Sequence, residues 1–324
     1  MLATLRAALR ATDVVAAADR IRPFVRRTEL VLSDRLSEIA HGDVYLKLEN
    51  QQITGSFKLR GAMNVLATLT PDERKRGVVA SSAGNHGLGV AFAAKHFGVP
   101  ATIFVPSTAA QVKRDGIAAL GAELDSTQPH YDAAMEAAID LAAKRGATFI
   151  NPCAGNALLA GQGTIALEIL GELPELATLI VAVGGGGLLG GCASLVKAVA
   201  PDTRIYGAQS ENTAAMSVSM AAGRVVEIEN RPTIAEGLAG QVDAYALDIG
   251  QRTLDGIVTV SEQDIADAIG WLWVAHQQRV EGAGACAAAA VLAGVLRDFP
   301  TPAAIVVSGG NIDPARFERL VARP

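Results

Sequence analysis

A single lysine, Lys58, stands where a reactive amine could be useful, within the segment ITGSFKLRG at residues 53–61. An apolar, strand-like run at residues 44–49 precedes it, and residues 54–56 supply a turn with a possible helix N-cap. The pattern therefore predicts that Lys58 lies in the first turn of a helix. A neutral lysine amine is the nucleophile of Schiff-base chemistry, although a lysine in this position, taken alone, is also typical of a solvated side chain.

Four consecutive glycines, Gly184, Gly185, Gly186 and Gly187, follow the buried strand pattern LIVAV and precede a helical pattern. Without Cβ atoms, backbone N–H groups can converge on an anion at the start of a helix. The spacing matches neither the G-x-G-x-x-G dinucleotide fingerprint nor a P-loop. A tight strand-to-helix turn would need fewer glycines, so the run predicts a phosphate site.

Two further polar turns follow strand patterns. The turn SSAGNHG opens a helix and offers Ser82, Asn85 and His86 beside backbone N–H groups. This setting suits a substrate carboxylate, and helix N-capping by the serine and asparagine is the alternative. The turn SGGN begins at Ser308, after the last strand pattern, and would direct this hydroxyl at whatever occupies the strand ends unless the segment is a simple loop.

The elements that must position these groups are short apolar strands alternating with helices, which indicates parallel sheets covered on both faces. We expect an α/β fold with two lobes, each a mostly parallel sheet flanked by helices. The smaller lobe is predicted as one inserted domain at residues 75–151, and the larger lobe combines residues 1–74 and 152–324. Ser261 with Asp264 three residues later predicts a capped helix start. Ligands of such folds lie at the carboxyl ends of strands, often in a cleft between lobes.

The composition disfavours several classes of function. The chain has 324 residues, a net charge of -5 and no basic stripe, so nucleic acid is not an expected partner. No apolar run reaches the roughly 18 residues of a membrane span. Residues 1–21 share an arginine-containing, acid-poor start with transit peptides, but no cleavage pattern follows, and an amphipathic helix is predicted. The cysteines Cys153, Cys192 and Cys286 are far apart and are predicted to be small buried residues in a reducing, cytoplasmic environment.

A family resemblance rests on the motifs taken together and in order. TGSFKLRGA, SSAGNHG, GGGG and SGGN, with AGQGTIALEI at residues 160–169 and VEGAGA at residues 280–285, resemble the pyridoxal-phosphate enzymes of the tryptophan-synthase β-like fold. Within them the chain is most similar to short threonine/serine dehydratases, with serine racemase a near relative. The resemblance implies a homodimeric ammonia-lyase that eliminates water from a β-hydroxy L-amino acid, giving a 2-oxo acid and ammonia.

The resemblance also implies roles for individual residues. Lys58 would be the Schiff-base lysine and the base at the substrate α-carbon, Phe57 would flank the cofactor ring, and Asn85 would hydrogen-bond the 3-hydroxyl of the cofactor. The four glycines would hold the phosphate, and Ser308 would meet the pyridine nitrogen. A neutral serine cannot keep that nitrogen protonated as a carboxylate would, so the ring is a weaker electron sink and β-elimination is favoured over transamination.

Two positions depart from close relatives. Racemases of this group carry a serine directly before the glycine of the SSAGNHG turn, where it acts as the base on the second face of the α-carbon. This chain has Ala83 at that position, which disfavours serine or threonine racemisation. Relatives that bind a divalent cation use a glutamate where this chain has Gln209, with Glu211 nearby. Because a neutral amide is a poor ligand for a hard cation, no metal is predicted. Glu281, in VEGAGA, has no clear role.

Other functions remain open at this point. The same elimination could act on 3-hydroxyaspartate or another β-hydroxy amino acid, although a second carboxylate would require a cation that the sequence does not place. A catalytically silent binding paralogue is disfavoured by the intact Lys58, Asn85 and Ser308. Only a short segment follows Asn311, so no C-terminal effector domain of the kind found in biosynthetic threonine dehydratases is expected.

Overall fold

The structure is a computed structural model that describes residues 9–322. The strands within these residues are β1 (Leu30–Leu32), β2 (Val44–Leu48), β3 (Val78–Ser81), β4 (Ala101–Pro106), β5 (Glu123–Gln128), β6 (Thr148–Phe149), β7 (Thr178–Ala182), β8 (Arg204–Ser210), β9 (Gly256–Val260) and β10 (Ala303–Val307). The helices are α1 (Ala11–Ile21), α2 (Asp34–Ala40), α3 (Lys58–Thr68), α4 (Pro71–Arg76), α5 (Asn85–Phe97), α6 (Gln111–Ala118), α7 (Tyr131–Arg145), α8 (Asn156–Glu172), α9 (Gly187–Val199), α10 (Ala215–Ala222), α11 (Ala244–Thr253), α12 (Glu262–His276), α13 (Gly282–Leu292) and α14 (Pro314–Val321). Short 3-10 turns lie at Glu49–Gln51, Glu211–Thr213 and Glu236–Leu238.

The strands form two sheets, as the alternating pattern predicts. The larger sheet has six strands in the order β1-β2-β10-β7-β8-β9, and the smaller has four in the order β5-β4-β3-β6. Every pairing is parallel except that of β1 with β2. The carboxyl ends of the parallel strands therefore lie at one edge of each sheet, where backbone groups and turn residues remain free for a ligand.

Helices cover both faces of each sheet. On the larger sheet, α12 and α13 contribute to the apolar core of one face, and α8, α9 and α11 contribute to the core of the other. On the smaller sheet, α3 and α5 pack on one face and α7 on the other. Strands β7 and β10 are buried at every residue, which is the burial expected of central strands in a parallel sheet.

Close helix packing fixes the position of the lysine-bearing helix α3. A Cβ atom built on Gly161 of α8 would lie 2.5 Å from the Arg60 carbonyl oxygen, so only glycine permits this approach. On α5, a Cβ atom built on Gly89 would lie 3.3 Å from the Leu59 backbone nitrogen. Helix α3 is thereby held between the two lobes, with its apolar residues in the core of the smaller sheet and its first residue at the strand ends of the larger sheet.

Most predicted elements are present, including the α12 start, where Ser261 and Asp264 form the capping box. The sequence patterns missed the edge strands β1, β5 and β9, and they placed the start of α8 near residue 163 instead of Asn156. The smaller sheet spans residues 78–149, and the domain boundaries at 74/75 and 151/152 stay a prediction. A helix lies at Ala11–Ile21 as expected, while residues 1–8 lie outside the described residues. Among residues 9–322, no helix is both long and apolar enough to span a bilayer.

Candidate active site

Lys58 is the first residue of α3, and its side chain reaches the segment that follows β6. Its Nζ atom donates a hydrogen bond to the Pro152 carbonyl oxygen at 2.8 Å and lies 4.0 Å from Cys153 Sγ. The same nitrogen lies 5.1 Å from the centroid of the Phe57 ring. The amine is therefore held at the seam between the two sheets and not extended into solvent.

The turn before Lys58 is built differently from the sequence-based prediction of a local N-cap. Phe57 occupies the N-cap position without a side-chain capping bond, and the buried Ser56 hydroxyl has no hydrogen-bond partner among residues 9–322. The Ser56 backbone instead pairs with Gly309 in an antiparallel bridge, and the Phe57 N–H donates to the Ser308 carbonyl oxygen at 3.1 Å. This long-range pairing replaces the local cap and places Lys58 beside the end of β10.

A buried ion-pair cluster anchors α3 immediately after Lys58. The fully buried Arg60 donates to Glu49 at 2.8 and 2.9 Å and to Glu168 at 2.7 and 2.9 Å. Lys47 lies 2.7 Å from the second oxygen of Glu168. Burial alone would raise the pKa of Glu49, but the adjacent Arg60 guanidinium holds it below its ordinary value. Removing one member would leave a buried charge uncompensated, which costs about 3–5 kcal/mol.

The glycine loop, residues 184–187, connects β7 to α9 and touches the segment beside Lys58. A Cβ atom built on Gly185 would lie 2.8 Å from Cys153 Sγ, and one built on Gly187 would lie 3.0 Å from Cys153 Cα. Gly186 has a φ of +87° and is the N-cap of α9. Cys153 therefore lies between the glycine loop and the Lys58 amine. The predicted phosphate site and the predicted reactive lysine are neighbours in the fold.

The glycine loop has the form of an anion cradle. Among residues 9–322, the N–H groups of Gly184, Gly185 and Gly186 make no hydrogen bond, and those of the first turn of α9 have no intrahelical acceptor. Free N–H groups at a helix start carry partial positive charge and attract anions. The loop therefore offers a phosphate several donors without a positively charged side chain.

The asparagine turn, residues 81–87, also leaves its helix start open. Gly84 is the N-cap of α5 and makes no side-chain cap, and Ser82 Oγ accepts a hydrogen bond from the Gly84 N–H at 3.1 Å. His86 Nε2 donates to the Ile150 carbonyl oxygen at 2.9 Å, and its buried Nδ1 has no hydrogen-bond partner within the part of the chain that the structure describes. Burial, followed by the Lys58 charge, lowers the pKa of His86 to about 3. His86 is therefore neutral. Neither Ser82 nor Asn85 occupies the N-cap position of α5, so the alternative of helix N-capping by these side chains is not what the structure shows.

Asn85 and Ser308 lie on either side of this seam. Asn85 Nδ2 donates to Glu281 Oε1 at 2.6 Å, and Asn85 Oδ1 accepts from Asn311 Nδ2 at 2.7 Å. Ser308 is buried, and its hydroxyl donates a long hydrogen bond of 3.4 Å to the Ala283 carbonyl oxygen. Because that bond is weak, the Ser308 hydroxyl can turn to a ring nitrogen without losing a strong partner.

Sequence reasoning did not assign three residues of this site. Glu281 and Asn311 belong to motifs that were singled out, but only the fold brings their side chains to Asn85. Cys153 was expected to be buried like the other cysteines; Cys192 and Cys286 are buried, whereas Cys153 is partly exposed beside Lys58. Its position directly after a proline at the end of a strand was the available signal.

Gln209, the position compared with a metal-binding glutamate, is occupied by backbone contacts. Its amide nitrogen donates to the carbonyl oxygens of Val183 and Thr213 at 2.9 and 3.4 Å, and its oxygen accepts from the Ser217 N–H at 2.8 Å. Within the part of the chain that the structure describes, no group of three or more His, Cys, Asp or Glu side chains is arranged to hold a metal ion.

The assembled residues fit pyridoxal phosphate. An aldehyde needs an amine, a phosphate needs donors without Cβ atoms in the way, and a ring nitrogen needs a hydroxyl or a charged partner. The glycine loop follows β7 and Ser308 follows the neighbouring strand β10. Lys58 follows Ser56, which is bridged to Gly309 just beyond β10. The amine, the phosphate donors and the hydroxyl therefore lie close together. The Phe57 ring adds an apolar wall beside the amine.

Known proteins are similar to this chain over most of its length. A family model described as "Pyridoxal-phosphate dependent enzyme" matches residues 21–309. An L-threonine ammonia-lyase of Thermotoga maritima is 43% identical over 312 residues, which cover 95% of this chain and 77% of that protein. A catabolic L-threonine dehydratase of Staphylococcus aureus is 38% identical over 314 residues, covering 95% of this chain and 91% of that protein.

Solved structures give the same result. Maize serine racemase superposes with a TM-score of 0.91 at 30% identity and covers 96% of each chain. The processed form of threonine deaminase isoform 2 from Solanum lycopersicum superposes with a TM-score of 0.87 at 32% identity, covering 96% of this chain and 92% of that chain. The similarity spans both sheets and the seam between them.

Proposed function

The chain belongs to the pyridoxal-phosphate-dependent enzymes, and on this premise we propose that it eliminates water from L-threonine or L-serine and releases a 2-oxo acid and ammonia. The single observation that carries the proposal is the meeting of Lys58 with the glycine loop through Cys153. When bound, pyridoxal phosphate supplies an electron-withdrawing ring that stabilises negative charge at the substrate α-carbon.

We assign Lys58 two tasks at the α-carbon. Its amine anchors the cofactor before the amino acid binds, and once displaced by the substrate amine it takes the α-proton. The carbonyl oxygen of Pro152, which accepts from Nζ at 2.8 Å, keeps the amine at the seam between these events. The ring of Phe57, with its centroid 5.1 Å from Nζ, limits the directions in which the amine can move.

The remaining residues bind and orient. Gly184 to Gly187 hold the phosphate through backbone N–H groups, Ser308 contacts the ring nitrogen, and Asn85 contacts the ring hydroxyl. The asparagine turn, with Ser82, Asn85 and His86, receives the substrate carboxylate. The His86 ring is neutral and hydrogen-bonded to the Ile150 carbonyl oxygen. His86 therefore binds the carboxylate through its backbone N–H at the start of α5 and not through a charged ring.

Threonine and serine are favoured over two other substrates or reactions. Racemisation needs a proton donor on each face of the α-carbon, and Ala83 supplies none on the face opposite Lys58. The family resemblance implies a serine at this position in racemases, so Ala83 argues against racemisation even though maize serine racemase superposes closely. Elimination from 3-hydroxyaspartate or another β-hydroxy amino acid is the runner-up, because the chemistry at the α-carbon would be identical.

The purified protein provides the test. It should be yellow, and borohydride reduction should attach the cofactor permanently to the peptide containing Lys58, while Lys58→Ala loses both the label and 2-oxo acid release. A panel of L-threonine, L-serine and 3-hydroxyaspartate, with 2-oxo acid followed for each, separates the substrates. Full activity of Lys58→Ala, or D-serine as the main product from L-serine, would refute the assignment.

We further infer that the protein is a homodimer, as the family resemblance suggests, and that it works in the cytoplasm. The three cysteines are free in the structure, which is compatible with a reducing compartment. Light scattering coupled to size-exclusion chromatography measures the mass of the particle against the 33.4 kDa chain. A monomer of full activity would exclude an obligatory dimer, and fractionation of producing cells tests the location.

A further inference from the structure

A chain of side-chain hydrogen bonds crosses the seam at Asn85. Asn311 Nδ2 donates to both the Thr54 carbonyl oxygen at 2.8 Å and Asn85 Oδ1 at 2.7 Å. Asn85 Nδ2 then donates to Glu281 Oε1 at 2.6 Å. The chain connects the turn before Lys58 with the first residue of α5 and the N-cap of α13.

The acceptors at the two ends of this series of hydrogen bonds determine the direction in which each bond is donated. A backbone carbonyl oxygen can only accept, so the nitrogen of the Asn311 amide must face Thr54. An ionised carboxylate can also only accept, so the nitrogen of the Asn85 amide must face Glu281. Both amides are thereby oriented, and Asn85 retains one N–H that makes no hydrogen bond within residues 9–322.

Glu281 is itself fixed from the side of the larger sheet. Its backbone N–H donates to the Gly309 carbonyl oxygen at 3.1 Å. A Cβ atom built on Gly309 would lie 2.3 Å from Glu281 Oε1 and 3.3 Å from Asn85 Nδ2, so this glycine admits the carboxylate to the seam. The Glu281 carboxylate therefore lies beside Gly309, the residue that follows Ser308. Among the described side chains, Asn85 alone donates a hydrogen bond to it.

We propose that Glu281 is a positioning residue that acts through Asn85, holding its amide so that the remaining N–H is presented to the bound cofactor. The inference deepens the proposed function and rests on it, since it concerns the group that Asn85 is proposed to contact. Glu281 does not itself touch the reacting atoms. Its effect should therefore be carried by Asn85 and disappear when Asn85 has no amide.

The charges around Glu281 make the contact sensitive to pH. Burial raises the pKa of Glu281 to about 7, with Glu236 acting in the same direction, and the Asn85 hydrogen bond and the charges of Lys113 and Lys58 oppose the rise. Above pH 7 the ionised carboxylate accepts from Asn85. Below it, the protonated group no longer fixes the direction of the amide, because an acid can also donate.

The test compares Glu281→Gln in two backgrounds, wild type and Asn85→Ala. Cofactor affinity is measured by titrating the apo protein with pyridoxal phosphate, and the absorption spectrum of the bound cofactor is recorded from pH 5.5 to 9. In the wild-type background we expect about tenfold weaker cofactor binding, since a charged acceptor is replaced by a neutral one. A spectral inflection near pH 7 should be present in the parent and absent in Glu281→Gln.

The Asn85→Ala background distinguishes positioning from a general structural role. There, Glu281→Gln should change cofactor affinity by less than about twofold, because the interaction it supports has been removed. Asp255→Asn is the control: the Asp255 carboxylate accepts from Arg204 at 2.6 Å and from the Ile205 N–H at 2.9 Å, but it directly precedes β9, at the amino ends of the strands and opposite the site. It should leave affinity and spectrum unchanged.

Other outcomes have defined meanings. Equal losses from Glu281→Gln in both backgrounds, or no loss in either, overturn the proposal. If Glu281→Gln does not fold, as judged by circular dichroism, Asn311→Ala replaces it. That variant removes the hydrogen bond from Asn311 to the other side of the Asn85 amide. Asn311→Ala should then lose affinity only when Asn85 is present, and any other result overturns the proposal. Failure of the parent protein to bind the cofactor would instead refute the proposed function, and it is recognised before any variant is compared.

Discussion

Replacing Gly185 with alanine tests how the glycine loop and the Lys58 segment fit together. The new Cβ atom would lie 2.8 Å from Cys153 Sγ and 3.3 Å from Cys153 Cβ. Contacts under 3 Å force something to move, and overpacking of this kind costs about 1–3 kcal/mol. Cys153 is the neighbour of Pro152, whose carbonyl oxygen holds the Lys58 amine, so the displacement should also disturb the amine.

We expect Gly185→Ala to lower the free energy of unfolding by about 1–3 kcal/mol and to weaken cofactor binding about tenfold or more. Because the severe contact is with the thiol, adding Cys153→Ala should restore most of both losses. The nearest atom would then be the β-carbon at 3.3 Å, which a small shift accommodates. Cys153→Ala alone removes one partly exposed sulfur and should cost less than about 1 kcal/mol.

Gly187→Ala is the matched control in the same loop. Its Cβ atom would meet the Cys153 α-carbon at 3.0 Å and the backbone oxygens of Cys153 and Pro152 at 3.4 Å, and Cys153→Ala leaves these atoms in place. Urea unfolding and apo-protein titration with pyridoxal phosphate, applied to the single and double variants, measure the coupling. Rescue of Gly187→Ala, or no rescue of Gly185→Ala, would refute the steric explanation.

Three further predictions concern the surroundings of the site. Arg60→Met should lower the free energy of unfolding by about 3–5 kcal/mol, and Arg204→Met, at an exposed arginine, should lower it much less; equal losses in urea unfolding would contradict the role of the buried cluster. The pKa of His86 is lowered from 6.5 to about 3 in the fold, so the unfolded chain binds the proton first and stability is lost as pH falls below 6.5. This loss should reach about 2 kcal/mol at pH 5, and an unchanged pH dependence in His86→Gln would refute it. Activity should survive a chelator, because the Gln209 amide is engaged by backbone groups; a collapse restored by magnesium would overturn this.

The sequence alone determined the chemistry-bearing turns. A glycine run after an apolar strand, a lysine at a helix start and an asparagine turn at another are local features, because they depend on turn geometry and on residue spacing within one element. The alternation of strands and helices likewise indicated two parallel sheets, since central strands such as β7 and β10 read as continuous apolar runs. The edge strands β1, β5 and β9 were missed; none of them is a fully buried apolar run, and the sequence of β5 is polar.

Only the tertiary structure decided which groups meet at the site. Glu281 and Asn85 are 196 residues apart in sequence, yet they share a 2.6 Å hydrogen bond. No side chain of residues 54–56 caps α3, and the Ser56 backbone pairs with Gly309 instead. Cys153 lies beside Lys58 and not in the predicted core position. These contacts join segments that different strands carry to the same seam. Their geometry is therefore set by sheet order and helix packing, which no local pattern encodes.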